Sequence, residues 1–330
     1  MKKALDVILV LVLVLSFAAF GNESTEAADD SPVIGVALPQ LDADGYRANL
    51  IGIQEKAEEY GFVIQPVDSQ NSAEEQTRQI EDFITSGVDA IIFIPIDSAA
   101  MVTAVKAANA ANIPIVSMDR SVEGGELTAL VESDNATHGS QAADLMLAAA
   151  EAQGKKASDL VVLELLGDQA SSSGLERHEG FTKRCEELGI TIVSSLPTNW
   201  QADEAYSSTL DAFQANSDIN AIFEASDIAM HSGVISALEQ LGKKFVAGEE
   251  GHVIITSVDG GPQGVDNVID GYIDGIAQQS LLDMGGKAME AAAKAINGET
   301  ITEPVIQLAP VLVTSENASS DELWTAKIAK

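Results

Sequence analysis

Residues 113–120, IPIVSMDR, form an apolar run of β character that ends in a carboxylate and a guanidinium side by side, Asp119 and Arg120. In an open α/β sheet, ligands sit just outside the carboxyl ends of the strands. A carboxylate accepts hydrogen bonds and a guanidinium donates them, so the pair suits a polyhydroxylated ligand whose vicinal hydroxyls do both. The competing reading is a surface ion pair. Adjacent side chains on a strand face opposite ways, so the two need not meet. His138, His178, His231 and His252 stand singly, without metal-ligand spacing, and Cys185 is the only cysteine, which excludes an intrachain disulfide and a cysteine zinc cluster. Gly285-Gly286-Lys287 lacks the upstream glycine of a phosphate loop, and there is no GxGxxG, HExxH or GxSxG motif. No cofactor, metal or catalytic role is expected.

Such a pair needs a sheet to hold it, and the chain supplies two. Short apolar strands alternate with longer helical patterns from residue 32 onward. Strands are expected at 33–38, 62–67, 89–96, 113–118 and 127–133, and again at 160–166, 190–196, 220–226, 252–258 and 271–277. Helices are expected between them. Residues 45–60 place Leu50, Ile53, Ala57 and Tyr60 on one face, and residues 72–86 open on a Ser72/Glu75 capping box. Further helices are expected at 98–111, capped by Ser98, then at 135–153, 202–215 and 281–296, and in stretches ending at Leu188 and Leu241. Gly61, Gly87 and Gly189 are the expected stops. Alternation at this spacing builds parallel, doubly wound sheets. Two such sets in series, with late returning segments, predict two α/β lobes joined by a multi-strand hinge around a cleft.

Composition and the amino-terminal segment point to an exported protein of more than one lobe. The 330 residues, 46% hydrophobic, are too many for one average domain. A net charge of −33 repels phosphate backbones and argues against nucleic acid as a partner. Lys2 and Lys3 precede an apolar run over residues 7–20, shorter than the roughly 20 residues of a membrane span. We read residues 1–21 as a signal peptide, cleaved after Ala18 or Gly21. Residues 22–31 read as a disordered acidic linker. Residue 22 is asparagine, so a lipid-anchoring cysteine is missing there. The expected location is periplasmic or otherwise extracytoplasmic.

Five segments fall in order at matching strand ends: DSQN (68–71), ANIPIVSMDR (111–120), ESDN (132–135), ERHEGF (176–181) and VDGGP (258–262). In these the chain resembles the periplasmic sugar-binding proteins of the ribose-binding type, over residues 33–313. DGYR (44–47), MDRS and SVDGGP are similar to the galactofuranose-binding type of the same family. The resemblance implies the type I periplasmic binding protein fold. It implies lobes of 32–133 with 279–307 and of 134–278 with 308–330.

It also implies a site. Tyr46 and Trp200 correspond to aromatic walls against a sugar ring. Arg47 matches the arginine of the galactofuranose-type motif. Asp119 with Arg120, Arg177, Asp259 and Gln278, with Gln279 as a rival, correspond to groups that hold hydroxyls. Ile94 and Ser226 stand where the ribose type has asparagines, which turns the expectation from ribose toward another pentose or hexose, furanose forms included. The implied activity is capture of a monosaccharide for the membrane permease of an ABC importer. The alternative is a sensory protein that presents a sugar or sugar-like signal to a chemoreceptor.

Overall fold

The computed structural model describes residues 31–169 and 171–329. The segment read as a signal peptide, and all of the acidic linker but its last residue, lie outside them. Strands and helices alternate along the chain as the apolar periodicity predicts. The first set comprises β1 (Val33–Leu38), α1 (Asp44–Tyr60), β2 (Val63–Asp68), α2 (Ala73–Ser86), β3 (Ala90–Phe93), α3 (Val102–Ala110), β4 (Ile115–Met118) and β5 (Ala129–Ser133). The second runs α4 (Asn135–Ala152), β6 (Val161–Leu166), α5 (Ser172–Leu188), β7 (Thr191–Pro197), α6 (Ala202–Ala215), β8 (Ala221–Glu224), α7 (Asp227–Gln240), β9 (Ile254–Asp259), α8 (Pro262–Ile269) and β10 (Gly275–Gln278). Then follow α9 (Leu281–Ile296), β11 (Val305–Leu308), β12 (Val311–Val313) and α10 (Trp324–Ile328).

Two six-stranded sheets result, ordered β11-β5-β4-β3-β1-β2 and β12-β10-β9-β8-β6-β7. Neighbours pair in parallel except β12, which runs antiparallel to β10. The chain passes between the sheets at β5–α4, β10–α9 and β11–β12. Strands β3, β4 and β8 are buried along their whole length, as parallel strands covered by helices on both faces must be. In the first lobe, α1 and α9 cover one face through Ile53, Met284 and Met289, and α2 and α3 cover the other through Ile80, Phe83 and Val105. In the second lobe Phe181 stacks on Phe223 with centroids 4.0 Å apart, and buried Cys185 joins the same core. Burial pushes the Cys185 thiol up to about 12, so it packs as a small apolar group.

Local chemistry sets the ends. Gly61 and Gly189 stop α1 and α5 in the left-handed conformation, at φ 69° and 74°. The Ser72 hydroxyl accepts from Glu75 N, as expected of an N-cap. Strand β3 is shorter than the apolar run 89–96. Beyond Phe93, the Gln76 carboxamide donates to Ile94 O at 2.9 Å and accepts from Ile96 N at 3.0 Å, standing in for a neighbouring strand. Helix α3 does not start at Ser98. The Asp97 carboxylate takes the N–H groups of Ala99 and Ala100, while Ser98 Oγ donates to Ser121 O. The end of the chain also departs from the expected lobe division. Trp324 and Ile328 of α10 pack into the core of the first lobe beside α1.

Candidate functional site

Strands β4 and β9 hold the same place in their sheets, third from the edge formed by β11 or β12. An aspartate in the left-handed region follows β4 directly and another ends β9, Asp119 at φ 63° and Asp259 at φ 85°. Non-glycine residues rarely sit there without a reason. At Asp119 the reason is visible. The chain turns at once, with Asp119 N donating to Val131 O and Arg120 N to Met118 O. That turn puts two side chains together that an extended strand would keep apart. Arg120 Nε donates to Asp119 Oδ2 at 3.0 Å. Its Nη1 and Nη2 reach Pro95 O at 3.3 Å and the Tyr46 hydroxyl at 3.2 Å. Burial raises the Tyr46 pKa against the opposing pull of Arg120, so the phenol stays a neutral donor and acceptor.

The facing group in the second lobe is more buried. Asp259 Oδ1 meets Arg177 Nη1 at 2.9 Å, with side chains 13% and 5% exposed. The same carboxylate accepts from Ser226 Oγ and from Gln279 Nε2. Arg177 also donates from Nε to Asn135 Oδ1 at 2.9 Å and from Nη1 to Ala225 O at 2.7 Å. Its guanidinium lies 5.8 Å from the centroid of the Trp200 ring. Trp200 follows Asn199, both with positive φ, and its ring presses on the backbone at Gly167. The equivalent loop of the first lobe has the same paired conformation at Gln70 and Asn71.

A cavity of about 550 Å³ lies between the lobes, lined by Tyr46, Asn49 and Asp119 of the first, Asp227, His231, Asp259 and Gln263 of the second, and Gln279 of the connection. The sequence candidates divide accordingly. Tyr46, Asp119 and Asp259 line the cavity. Arg120, Arg177 and Ser226 each bond directly to one of these. Trp200 stands behind Arg177. Arg47 turns away, reaching Ile328 O at 3.1 Å and Asp44 at 3.4 Å. Gln278 is pinned inside the second lobe, with Nε2 donating to Gly260 O at 2.9 Å. Its neighbour Gln279 reaches the cavity instead, donating to Asp259 and accepting from Ser133 Oγ at 2.9 Å. That amide therefore ties the end of β5 in one lobe to the end of β9 in the other. A separate cavity of about 520 Å³, between α1, the start of α9 and the C-terminal segment, contains Gln278 and Gln279 but none of the charged candidates.

Sequence reasoning missed three further groups. Asp227 takes the N–H groups of Gly260 at 2.7 Å and Gly261 at 3.0 Å, and so holds the turn after β9. Burial, followed by the charge of Asp259, pushes its pKa up to about 8. His231 meets the buried Glu224 at 3.0 Å through Nδ1. Burial opposes its protonation, but Glu224 outweighs that and raises its pKa. Asn49 lies on the buried face of α1, one turn before Ile53. Its spacing from Ile53 and Ala57 was the available signal, a polar residue in an apolar i, i+4, i+8 row.

Residues 34–300 match the periplasmic binding protein domain family. The chain belongs to this family. As a periplasmic binding protein it is similar to the ribose import binding protein of Bacillus subtilis, at 30% identity over 312 residues, 92% of this chain and 97% of that one. It is also similar to the galactofuranose-binding protein of Escherichia coli, at 26% identity over 289 residues, 84% and 86% of the two chains. Among solved structures, an ABC transporter periplasmic solute binding protein from Actinobacillus succinogenes with bound D-allose superposes with a TM-score of 0.74 at 29% identity, covering 87% of this chain and 99% of that one. The type I fold expected from the sequence, two α/β lobes with one sheet each, is the fold of these relatives.

Proposed function

We propose that this protein captures a monosaccharide, a pentose or hexose, between its two lobes and delivers it to the permease of an ABC importer. The observation that carries the reading is the pair of strand-end aspartates. Asp119 and Asp259 line one cavity from opposite lobes, each braced by a guanidinium, Arg120 or Arg177. Carboxylates so held are acceptors of fixed direction, and Arg120, with a side chain 45% exposed, is the donor open to solvent. Hydroxyl groups pair with both. A ligand touching both walls favours the closed arrangement, because only closure makes the full set of contacts. The permease would read that closed form. The activity is binding without catalysis, in an extracytoplasmic compartment reached through the segment at residues 1–21. The names of the relatives support the importer role: two are import or solute-binding proteins, for ribose and with D-allose.

A thermal-shift screen of the protein against D-ribose, D-allose, L-arabinose and D-galactose tests this. A ligand that binds only the folded state raises the melting temperature. At least one of the four should do so at submillimolar concentration. No shift with any of them at millimolar concentration refutes the proposal.

A further inference from the structure

Gln279 stands in the connection from β10 to α9 and is held from both lobes. Its N–H donates to Asp259 O at 3.1 Å and its Nε2 to Asp259 Oδ1 at 2.6 Å, which fixes it to the second lobe. Its Oε1 accepts from Ser133 Oγ at 2.9 Å, at the end of β5 in the first lobe. Two further bonds reach the connection from β11 to β12: Asp134 N donates to Leu308 O at 2.9 Å, and Ser280 Oγ to Ala309 O at 3.0 Å. The connections β5–α4, β10–α9 and β11–β12 are thus laced to one another. Of these links, the one through Gln279 also grips a carboxylate that lines the interlobe cavity. Lobes swing apart by φ and ψ changes at a few residues of such connections, and a bond from one connection to the next resists that swing. Asp259 can take a ligand while it keeps the link. A carboxylate has about four acceptor places. Arg177 and Gln279 take two on Oδ1 and Ser226 takes one on Oδ2, which leaves a place on Oδ2.

We propose that Gln279 is a positioning residue for binding. Through Ser133 it limits how far the ligand-free lobes swing apart, and so keeps Asp119 and Asp259 near the separation at which one ligand meets both. The identity of the ligand rests on the sugar reading of the cavity, and the restraint on the lobes does not. A protein held near its binding-competent arrangement loses less affinity to closure. The neighbouring Gln278 cannot serve, because its Nε2 is spent on Gly260 O within the second lobe.

Two substitutions separate the link between the lobes from the local bracing of Asp259. Gln279→Met is of similar length and removes both side-chain bonds. Ser133→Ala removes the first-lobe partner and leaves the bond to Asp259. Small-angle X-ray scattering of the ligand-free proteins should give both variants a larger radius of gyration than the unsubstituted protein, and the double variant should open no further than Gln279→Met. At saturation with the best bound of D-ribose, D-allose, L-arabinose and D-galactose, all should return to one radius. Calorimetry should show affinity for that sugar reduced about two- to tenfold in each single variant, since one neutral hydrogen bond between the lobes is lost. An unchanged ligand-free radius in both variants overturns the inference, whatever the affinities. Effects confined to Gln279→Met also overturn it, since they would make the residue a brace of Asp259 alone, and so does unchanged affinity in both variants beside a larger radius. If the unsubstituted protein binds none of the four sugars, the sugar reading falls, while the scattering comparison still decides whether Gln279 restrains the lobes.

Discussion

The two arginines of the site should respond to the same substitution in different ways. Arg177→Met removes a cation whose ion pair with Asp259 has side chains 5% and 13% exposed. It leaves Asn135 Oδ1 and Ala225 O without the donors they now have, at 2.9 and 2.7 Å. Breaking one partner of a buried pair costs about 3–5 kcal/mol, because the remaining charge stays desolvated. Ser226 and Gln279 still donate to Asp259 and hold the loss toward the lower end of that range. Arg120→Met also breaks an ion pair, but its side chains are 45% and 30% exposed, and such pairs contribute roughly 0–1 kcal/mol. In the proposed function Arg120 is the donor to the ligand, and a hydrogen bond to a charged group contributes about 1.5–3 kcal/mol. Its loss should weaken binding roughly 10- to 100-fold. Urea unfolding followed by circular dichroism, with calorimetric titration of the folded variants, measures both effects. Arg177→Met should lose stability and affinity together, whereas Arg120→Met should lose affinity with near-normal stability. Equal stabilities of the two variants would refute the assignment of Arg177 as the buried brace and Arg120 as the open donor.

Two further predictions concern groups behind the site. His138 is fully buried, and its pKa is lowered to about 4, chiefly by burial and also by Arg177, against its bond to Asp134 O and the charges of Asp259 and Asp134. The folded state keeps it neutral while the unfolded chain protonates it near pH 6.5, so its contribution is full above that value and lost as pH falls toward 4, by up to about 3 kcal/mol. Urea midpoints at pH 7.5 and 4.5 should differ less in His138→Leu than in the unsubstituted protein, and equal differences would contradict the assignment. At Gly167, a Cβ would stand 2.0 Å from the Trp200 ring, so Gly167→Ala must displace the indole from its place beside Arg177. The tryptophan emission should shift and sugar affinity should fall, and an unchanged spectrum would mean that the ring is not seated there.

Much of the fold was legible because its signals are local. Helices α6 and α9 have the bounds expected from apolar period and flanking residues, and the glycine stops of α1 and α5 lie where the helices end. What was not legible depends on contacts distant in sequence. The Gln76 side chain that ends the β3 ladder is one case, and the seating of Trp324 beside α1 is another. In the site, strand-end position pointed to Asp119 and Asp259, which line the cavity, but residue type says nothing of the left-handed turn that brings Arg120 onto Asp119. Gln278 and Gln279 could not be separated by pattern, because β10 is buried on both faces and shows no alternation. Arg47 follows a family motif, yet a single turn of α1 points it at the C-terminal helix instead of the cavity.

The most direct test of the account is calorimetric titration of the unsubstituted protein and Asp119→Ala with the sugar that gives the largest thermal shift. Asp119 orders the first-lobe wall through Arg120, which in turn holds the Tyr46 hydroxyl. Its removal should weaken binding by at least 100-fold with little change in the ligand-free melting temperature. An unchanged affinity in Asp119→Ala would contradict the claim that the ligand is held between the two strand-end aspartates.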